Sequence, residues 1–457
     1  MKRTLKYSIA VVVLILGMIW TPYSFAGVSP DEAAKLGTTL TGVGAEMAGN
    51  KDGTIPAYSG GLTKPPAGYK EDSGVYIDPF LGEKPLFSIN AQNMAQYADK
   101  LTEGAKFMMS KHPTFRIDVY MTHRTVAFPE HVLKNTAENA VKAATSNGGL
   151  TVNNAWAGYP FPIPKDGFEV MWNHMMRYTG RAYSERYGVY VVDANGTPRL
   201  SQGTLLVSEL PYYDKDSTIY DKDVYWKSRW HFIAPPRING EMGMVMDYVD
   251  LYNKHRVAYQ YLPGQRRVKL APEIGFDTPV ASQSGVSCYD EQQNYNGSME
   301  RYEMKLVGKK EVYIPYNDYD LAFSKRSMDQ VMGPKHLNPD PIRWELHRVW
   351  VVEGTLKPGA RHIYKTRRFY LDEDSWNVAA AETYDNQGSM FRIQFGFQVP
   401  MYDALAANGE MRVEYDVISG VYSLDFWWGG MDGYRRFIKP LPNREWAPQA
   451  IAGGGVS

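Results

Sequence analysis

The chain has 457 residues, 22% of them charged, with 50 Lys and Arg balancing 50 Asp and Glu, so the formal net charge is zero. That balance creates no global field for nucleic acid or anionic headgroups, and no nucleic-acid partner is expected. One cysteine, Cys288, leaves no intramolecular disulfide and no cysteine-based zinc site.

The N-terminus carries the most specific signal. Lys2, Arg3 and Lys6 form a basic start, and Ile9 to Trp20 is an apolar run interrupted only by Gly17. Ser24-Phe25-Ala26 then offers small residues where a signal peptidase reads them. Residues 1–26 are therefore read as a cleaved signal peptide and the protein as periplasmic. An uncleaved anchor is the rival, but the run is shorter than the roughly 20 residues that span a bilayer. No cysteine follows it to take a lipid.

Residues 27–89 read as an extended arm. Ser29-Pro30-Asp31-Glu32 opens a short helix stopped at Gly37, and from Gly42 to Pro85 the chain is rich in Gly, Pro and Tyr without periodicity. Asn50-Lys-Asp52-Gly53-Thr54 has the look of a calcium loop. Its first and twelfth ligand positions would be Ala48 and Ser59, which cannot serve.

Residues 90–457 read as a single, mostly β half-barrel domain with its helices in 90–180. Asn90 caps an expected helix of about 20 residues that places Met94, Tyr97, Leu101, Ala105 and Met108 on one stripe. Alternation from Phe115 to Met121 predicts a strand, and further helices are expected over about 130–145 and 168–178.

From Tyr187 the pattern is β almost throughout, roughly 13 to 15 strands by period and turn signals. Asn195-Gly196 is a strong hairpin signal. Trp226, Trp230 and Phe232 share one face of a strand, with Lys227, Arg229 and His231 on the other. Met242, Met244 and Met246 make the next stripe. Val257 to Leu270 reads as a hairpin at the middle of the sheet: Tyr259 and Tyr261 alternate with Gln260, Pro263-Gly264 turns with Gly taking positive φ, and Arg266 and Arg267 begin the return. Cys288 to Ser298 reads as a polar loop. The clearest strand is Phe391 to Val399, with Phe391, Ile393, Phe395 and Phe397 on its odd face and Arg392, Gln394 and Gln398 expected on a polar one.

No motif carries chemistry. His-Glu-x-x-His, Gly-x-Ser-x-Gly and a phosphate-cradling glycine loop are all absent, so no metal, no cofactor and no catalytic residue is assigned. Asp372-Glu373-Asp374 could be paired catalytic carboxylates but sits between two strands, where a solvated turn is the plainer reading. The aromatic and methionine faces exceed what three short helices can cover. Such a sheet must close, dimerise or enclose something apolar. The expected cavity wall is Trp226, Trp230, Phe232, Met242, Met244, Met246, Tyr259, Tyr261, Phe391, Ile393, Phe395 and Phe397. Arg266 and Arg267 are the expected rim, one facing solvent or a partner and one paired with a carboxylate.

Ala48-Gly-Asn-Lys-Asp-Gly-Thr-Ile-Pro56, Tyr261-Leu-Pro-Gly-Gln-Arg-Arg-Val268 and Tyr370-Leu-Asp-Glu-Asp-Ser-Trp376 with Tyr384-Asp-Asn-Gln-Gly388 resemble a domain-of-unknown-function family of exported Gram-negative proteins. Phe161-Pro-Ile-Pro164 with Trp172-Asn173 is similar to a fourth family pattern. The family's fold is related to that of the lipoprotein-sorting carriers LolA and LolB. The resemblance implies a mainly β fold with a few helices: a large curved antiparallel sheet, a half-barrel with a helical lid and an extended N-terminal arm. It also implies a periplasmic carrier of a hydrophobic, lipid-like ligand, with an inner-membrane RND-type transporter and an outer-membrane β-barrel protein as partners. The rivals are a lipid-sensing module, and an envelope hydrolase with a polar cluster such as Asp372 or His362 at the cavity mouth. N-terminal sequencing of the exported protein is expected to start at Gly27; a chain still beginning at Met1 would make the leader an anchor.

Overall fold

The computed structural model describes residues 27–215 and 223–453, so the leader lies outside the described residues. Its strands are β1 (Phe87–Ile89), β2 (Ile117–Val119), β3 (Ala144–Ser146), β4 (Thr151–Asn153), β5 (Ala182–Val192), β6 (Pro198–Glu209), β7 (Val224–Ala234), β8 (Met242–Tyr248) and β9 (Val257–Leu262). They continue as β10 (Arg267–Leu270), β11 (Tyr302–Pro315), β12 (Trp344–Leu356), β13 (Thr366–Asp372), β14 (Val378–Tyr384), β15 (Met390–Gly396), β16 (Arg412–Asp416), β17 (Tyr422–Trp427) and β18 (Tyr434–Phe437). The helices that matter here are α1 (Pro30–Ala33), α2 (Glu103–Lys111), α3 (Glu130–Lys142) and α4 (Gly167–Met175).

Sixteen strands form one sheet in the order β1-β2-β12-β13-β14-β15-β16-β17-β5-β6-β7-β8-β9-β10, with β11 added on β12 and β18 on β5. It is open and mixed. Every pairing is antiparallel except one bridge, Trp344 to Val119. Two meanders, β5 to β10 and β11 to β17, are sewn together where β17 meets β5. The Asn195-Gly196 turn holds as expected: Asp193 Oδ1 accepts from Asn195 N and Thr197 N, and Gly196 takes φ 88°.

The Val257–Leu270 hairpin departs from expectation in two ways. It lies at the end of the sheet, because after β10 the chain leaves for residues 271–300 and re-enters as β11 at the other meander. Its positive φ falls on Arg266 (47°), which ends a turn of 3-10 helix over Pro263–Gln265. The expected long helix after Asn90 is broken too. A 3-10 turn covers Met94–Lys100, Leu101 is extended, and Thr102 Oγ1 caps α2 through Ala105 N. The helices α3 and α4 and the Ser29-capped α1 fall where the sequence placed them.

The arm lies over the chain, tied by its backbone. Trp376 Nε1 donates to Val43 O (3.0 Å), and the Tyr69 and Tyr76 hydroxyls donate to Asp403 (2.7 and 2.8 Å). Gly44, at φ 96°, passes so close to Pro162 that a Cβ would meet its carbonyl oxygen at 1.8 Å.

The odd face of β15 is packed core. Ile393, Phe395 and Phe397 are buried, and Phe395 sits among Trp344, Phe115 and Tyr415 with ring centroids 5.2 to 6.4 Å away. The even face is buried as well, at Arg392, Gln394 and Gln398. The alternation reports two covered faces of different polarity, not one wet and one dry. Phe395→Ala is expected to cost about 3 to 5 kcal/mol in denaturant melts, with no recovery on adding amphiphile; recovery would move the ligand site to β15.

Candidate functional site

A cavity of about 390 Å³ lies over β5 to β9 and beneath residues 271–300. Register decides which side chains reach it. Ser208 pairs with Ser228 and Leu206 with Trp230 across β6 and β7; Ser228 pairs with Val245 and Trp230 with Gly243 across β7 and β8; Gly243 pairs with Gln260. All of these except Gly243 are lining residues, and directly paired residues share a face. Gly243 is needed bare, since a Cβ there would come within 2.1 Å of the Trp230 indole. The far wall comes from Ile274, Val280 to Gln283, Tyr289, Gln292 and Gln293.

Trp226, Trp230 and Phe232 therefore line the cavity as expected, all half-buried. The methionine stripe does not. Met242, Met244 and Met246 pair with His231, Arg229 and Lys227, and Tyr261 and Tyr259 pair with Met242 and Met244. That row is the opposite face, where it packs under Trp446 and Ile451 of the C-terminal segment. Lys227 lies 4.3 Å from the Trp446 ring, and Trp446 Nε1 donates to Glu209 (3.0 Å). The two stripes face apart because cross-strand pairing aligns Met with the charged row of β7, a parity that neither strand reveals alone. Phe391, Ile393, Phe395 and Phe397 belong elsewhere, as described above. Arg266 and Arg267 are both exposed and, among the described residues, neither has a carboxylate partner, so the paired rim does not form.

The polar loop after Cys288 is the feature sequence reasoning misread most. Asp290, Glu291, Gln293 and Asn294 are buried against the sheet. Asp290 Oδ2 accepts from Arg367 (2.6 Å) and pairs with His362 (3.0 Å); Glu291 accepts from Arg392 (2.8 Å) and from Cys288 N (2.7 Å). Further along, Gln283 Nε2 donates to Asp425 (2.9 Å). Burial pushes the Cys288 thiol up, with Glu291 adding to the effect, which disfavours the reactive thiolate. The signal was available as unmatched arginines on β13 and β15, at Arg367 and Arg392, which need buried acids if their faces are covered.

Charges at the cavity's inner wall are already used. Arg256 forms a fork with Asp247 (2.7 Å to each oxygen), and Glu410 accepts from Tyr183 OH (2.9 Å) and Arg435 (3.0 Å). Arg435 also holds Glu185 (2.7 Å), whose carboxyl is pushed up to about 8 by burial, against the pull of Arg435.

A second polar cluster lies under the arm. Asp372, Glu373 and Asp374 are buried, not a solvated turn. Arg124 forks onto Asp374 (2.8 and 2.7 Å) while reaching Met47 O and Pro56 O of the arm, and Lys309 binds Glu373 (2.7 Å). The turn is buried because the arm covers it and supplies acceptors for the same arginine. His347, Asp372 and Asp374 offer ligand atoms within 4.8 Å of one another, but the Arg124 fork occupies both Asp374 oxygens. Neither Asp372 nor His362 lines the cavity.

Burial, with Asp374 beside it, pushes the Asp372 carboxyl up from 3.8 to about 7. An acid raised in the folded state stabilises the fold below its unfolded value and loses that contribution as pH rises through the folded one. Asp372→Asn is thus expected to gain melting temperature relative to the parent as pH rises from about 4 to about 7; a difference independent of pH would remove Asp372 from this titration.

A family model described as "Protein of unknown function (DUF1329)" matches residues 88–452. An uncharacterized protein of Pseudomonas aeruginosa is 40% identical over 426 residues, covering 92% of each chain. Similar solved structures include a domain from Vibrio parahaemolyticus titled for outer membrane lipoprotein sorting (TM-score 0.42, 13% identity, 63% of this chain and 98% of that one). Others are a DUF1329 family protein from Desulfovibrio piger (TM-score 0.41, 15%, 60% and 92%) and a LolA superfamily protein from Nitrosomonas europaea (TM-score 0.36, 9%, 62% and 98%).

Proposed function

Because the chain belongs to the DUF1329 family, whose description names no activity, we propose its role from its own cavity: a periplasmic protein that binds an apolar or amphiphilic molecule without chemistry. The observation that carries this reading is the cavity itself. About 390 Å³ between a sheet and its cover falls in the range of small-molecule sites, and its wall mixes aromatic and aliphatic side chains with amides, hydroxyls and four charged residues. Removing apolar ligand surface from water supplies about 25 cal/mol per Å², enough for micromolar binding by a short acyl or ring system.

Periplasmic placement rests on the leader at residues 1–26. None of the residues lining the cavity comes from the arm at 27–89 or from the helices between 90 and 180, so the arm does not fill the site. The cover comes from residues 271–300. Passing the ligand onward would fit an inner-membrane transporter of the RND type and an outer-membrane barrel as partners.

Mass spectrometry of organic extracts from protein purified out of the periplasm is expected to recover a bound amphiphile. Gln260→Trp, which fills the cavity from its half-buried β9 wall, is expected to empty those extracts while leaving the melting temperature within a few degrees. Equal loads in the parent and the variant would place the ligand outside the cavity and end this reading.

A further inference from the structure

Four aromatic rings line the cavity: Trp226, Trp230 and Phe232 from β7, and Tyr289 from the cover. Trp226, Trp230 and Tyr289 pack against one small cluster formed by Val245, Ala258, Ala271 and Ile274. All four rings are half-buried. Among the described residues, none of them stacks on another ring or carries a protein cation over its face, although such contacts are frequent elsewhere in this chain.

Glu241 lines the same space. Phe232 N donates to Glu241 O (2.9 Å) and Glu241 N to Ile238 O (3.0 Å), so the turn carrying the acid is fixed to the strand carrying the ring. Burial raises the Tyr289 hydroxyl's pKa, aided by the charges of Glu273 and Glu241, which sets Glu241 within electrostatic reach of that ring. Burial also raises the Glu241 carboxyl, with Arg237 opposing.

The charge audit singles this acid out. Of the four charged residues lining the cavity, Arg256 is spent on Asp247 and Glu410 on Arg435. Arg237 is exposed on the turn, and among the described residues Glu241 has no side-chain hydrogen bond or ion pair. A half-buried carboxylate beside free aromatic faces is the arrangement that stabilises an organic ammonium, through the ring quadrupoles and the direct charge. A bare carboxylate in the same place repels an anionic headgroup.

We propose that the end of this cavity at Glu241 is a subsite for an ammonium headgroup, of the choline or ethanolamine type, held by Glu241 and the rings of Trp230, Phe232 and Tyr289, with the apolar tail running along β7 toward Trp226. In a zwitterionic headgroup the anion faces Arg237. This rests on the ligand-binding reading given above and names the class of ligand it takes.

The test is calorimetric titration of the full mature chain with octyltrimethylammonium, octanol and octanoate, each below its micelle concentration. The ammonium is expected to bind at least about ten-fold more tightly than octanol, and octanoate more weakly than either. Glu241→Gln, an isosteric change on a half-exposed turn, is expected to bring the ammonium down to the octanol affinity and leave octanol unchanged. Trp230→Leu is expected to weaken the ammonium more than octanol. Octanol matching the ammonium in the parent, or Glu241→Gln leaving the preference intact, overturns the subsite while the cavity reading stands. No binding by any of the three overturns both.

Discussion

Asp290 and Glu291 belong to a connection between two strands, yet both are buried, and a carboxylate buried without a partner costs several kcal/mol. Arg367, His362 and Arg392 on the sheet side make that burial tolerable. The dependence runs both ways: these arginines face a covered surface and would be equally costly without the acids. Removing one partner of such a pair typically costs about 3 to 5 kcal/mol, because the other charge is stranded. This mutual requirement fixes residues 271–300 to the sheet, and the cover in turn defines the cavity. A neutral, apolar connection of the same length could pack there too, but nothing would pin its register.

The sequence revealed the strands better than their faces. Period-two alternation located β7, β8, β9 and β15, since each places unlike residues on its two sides. It did not reveal which side looks inward, because both sides of this sheet are covered and each needs its own kind of partner. On β15 the apolar row meets α2 and Phe115, while Arg392 and Gln394 meet Glu291. On β7 the aromatic row meets the cavity, while the charged row meets Glu209, Glu445 and Trp446. Choosing the methionines as cavity wall assumed one apolar face per strand pair. The pairing places Met244 opposite Arg229, and so with the C-terminal segment.

The turn at Asp372 to Asp374 was misread for a related reason. Three consecutive acids imply solvent unless something covers them, and local sequence says nothing of a cover that comes from more than 300 residues earlier. Arg124 links the two halves of that contact, since one guanidinium serves Asp374 and two arm carbonyls. Lys309 and Arg348 repeat the pattern by reaching both Glu373 and Glu46 of the arm. The arm is thus held by charge matching as well as by Val43, Ile55 and Tyr76 in the core. It covers the β11 to β14 region, and further along it reaches Asp403 and β18, where Gly74 O accepts from Arg435 N.

The placement of charge also explains why this space lies over β5 to β9. From β13 to β17 the same face carries a row of charged or strongly polar groups, Arg367, Arg392, Gln394, Glu414, Arg412 and Asp425, and the cover lies against it through Asp290, Glu291 and Gln283. Over β6 to β9 the row becomes Leu206, Trp230, Val245 and Gln260, which make no such demand. The cover can stand off there at little cost, leaving room for a molecule. Its tip is held by weaker means than its base: Gln283 donates to Asp425, and Ser201 and Arg199 reach Ser282 O and Ser284. Opening at the tip would exchange a few hydrogen bonds for contacts with water, whereas opening at Asp290 and Glu291 would strand buried charges. Residues 281–284 are therefore the part of the cover that costs least to lift.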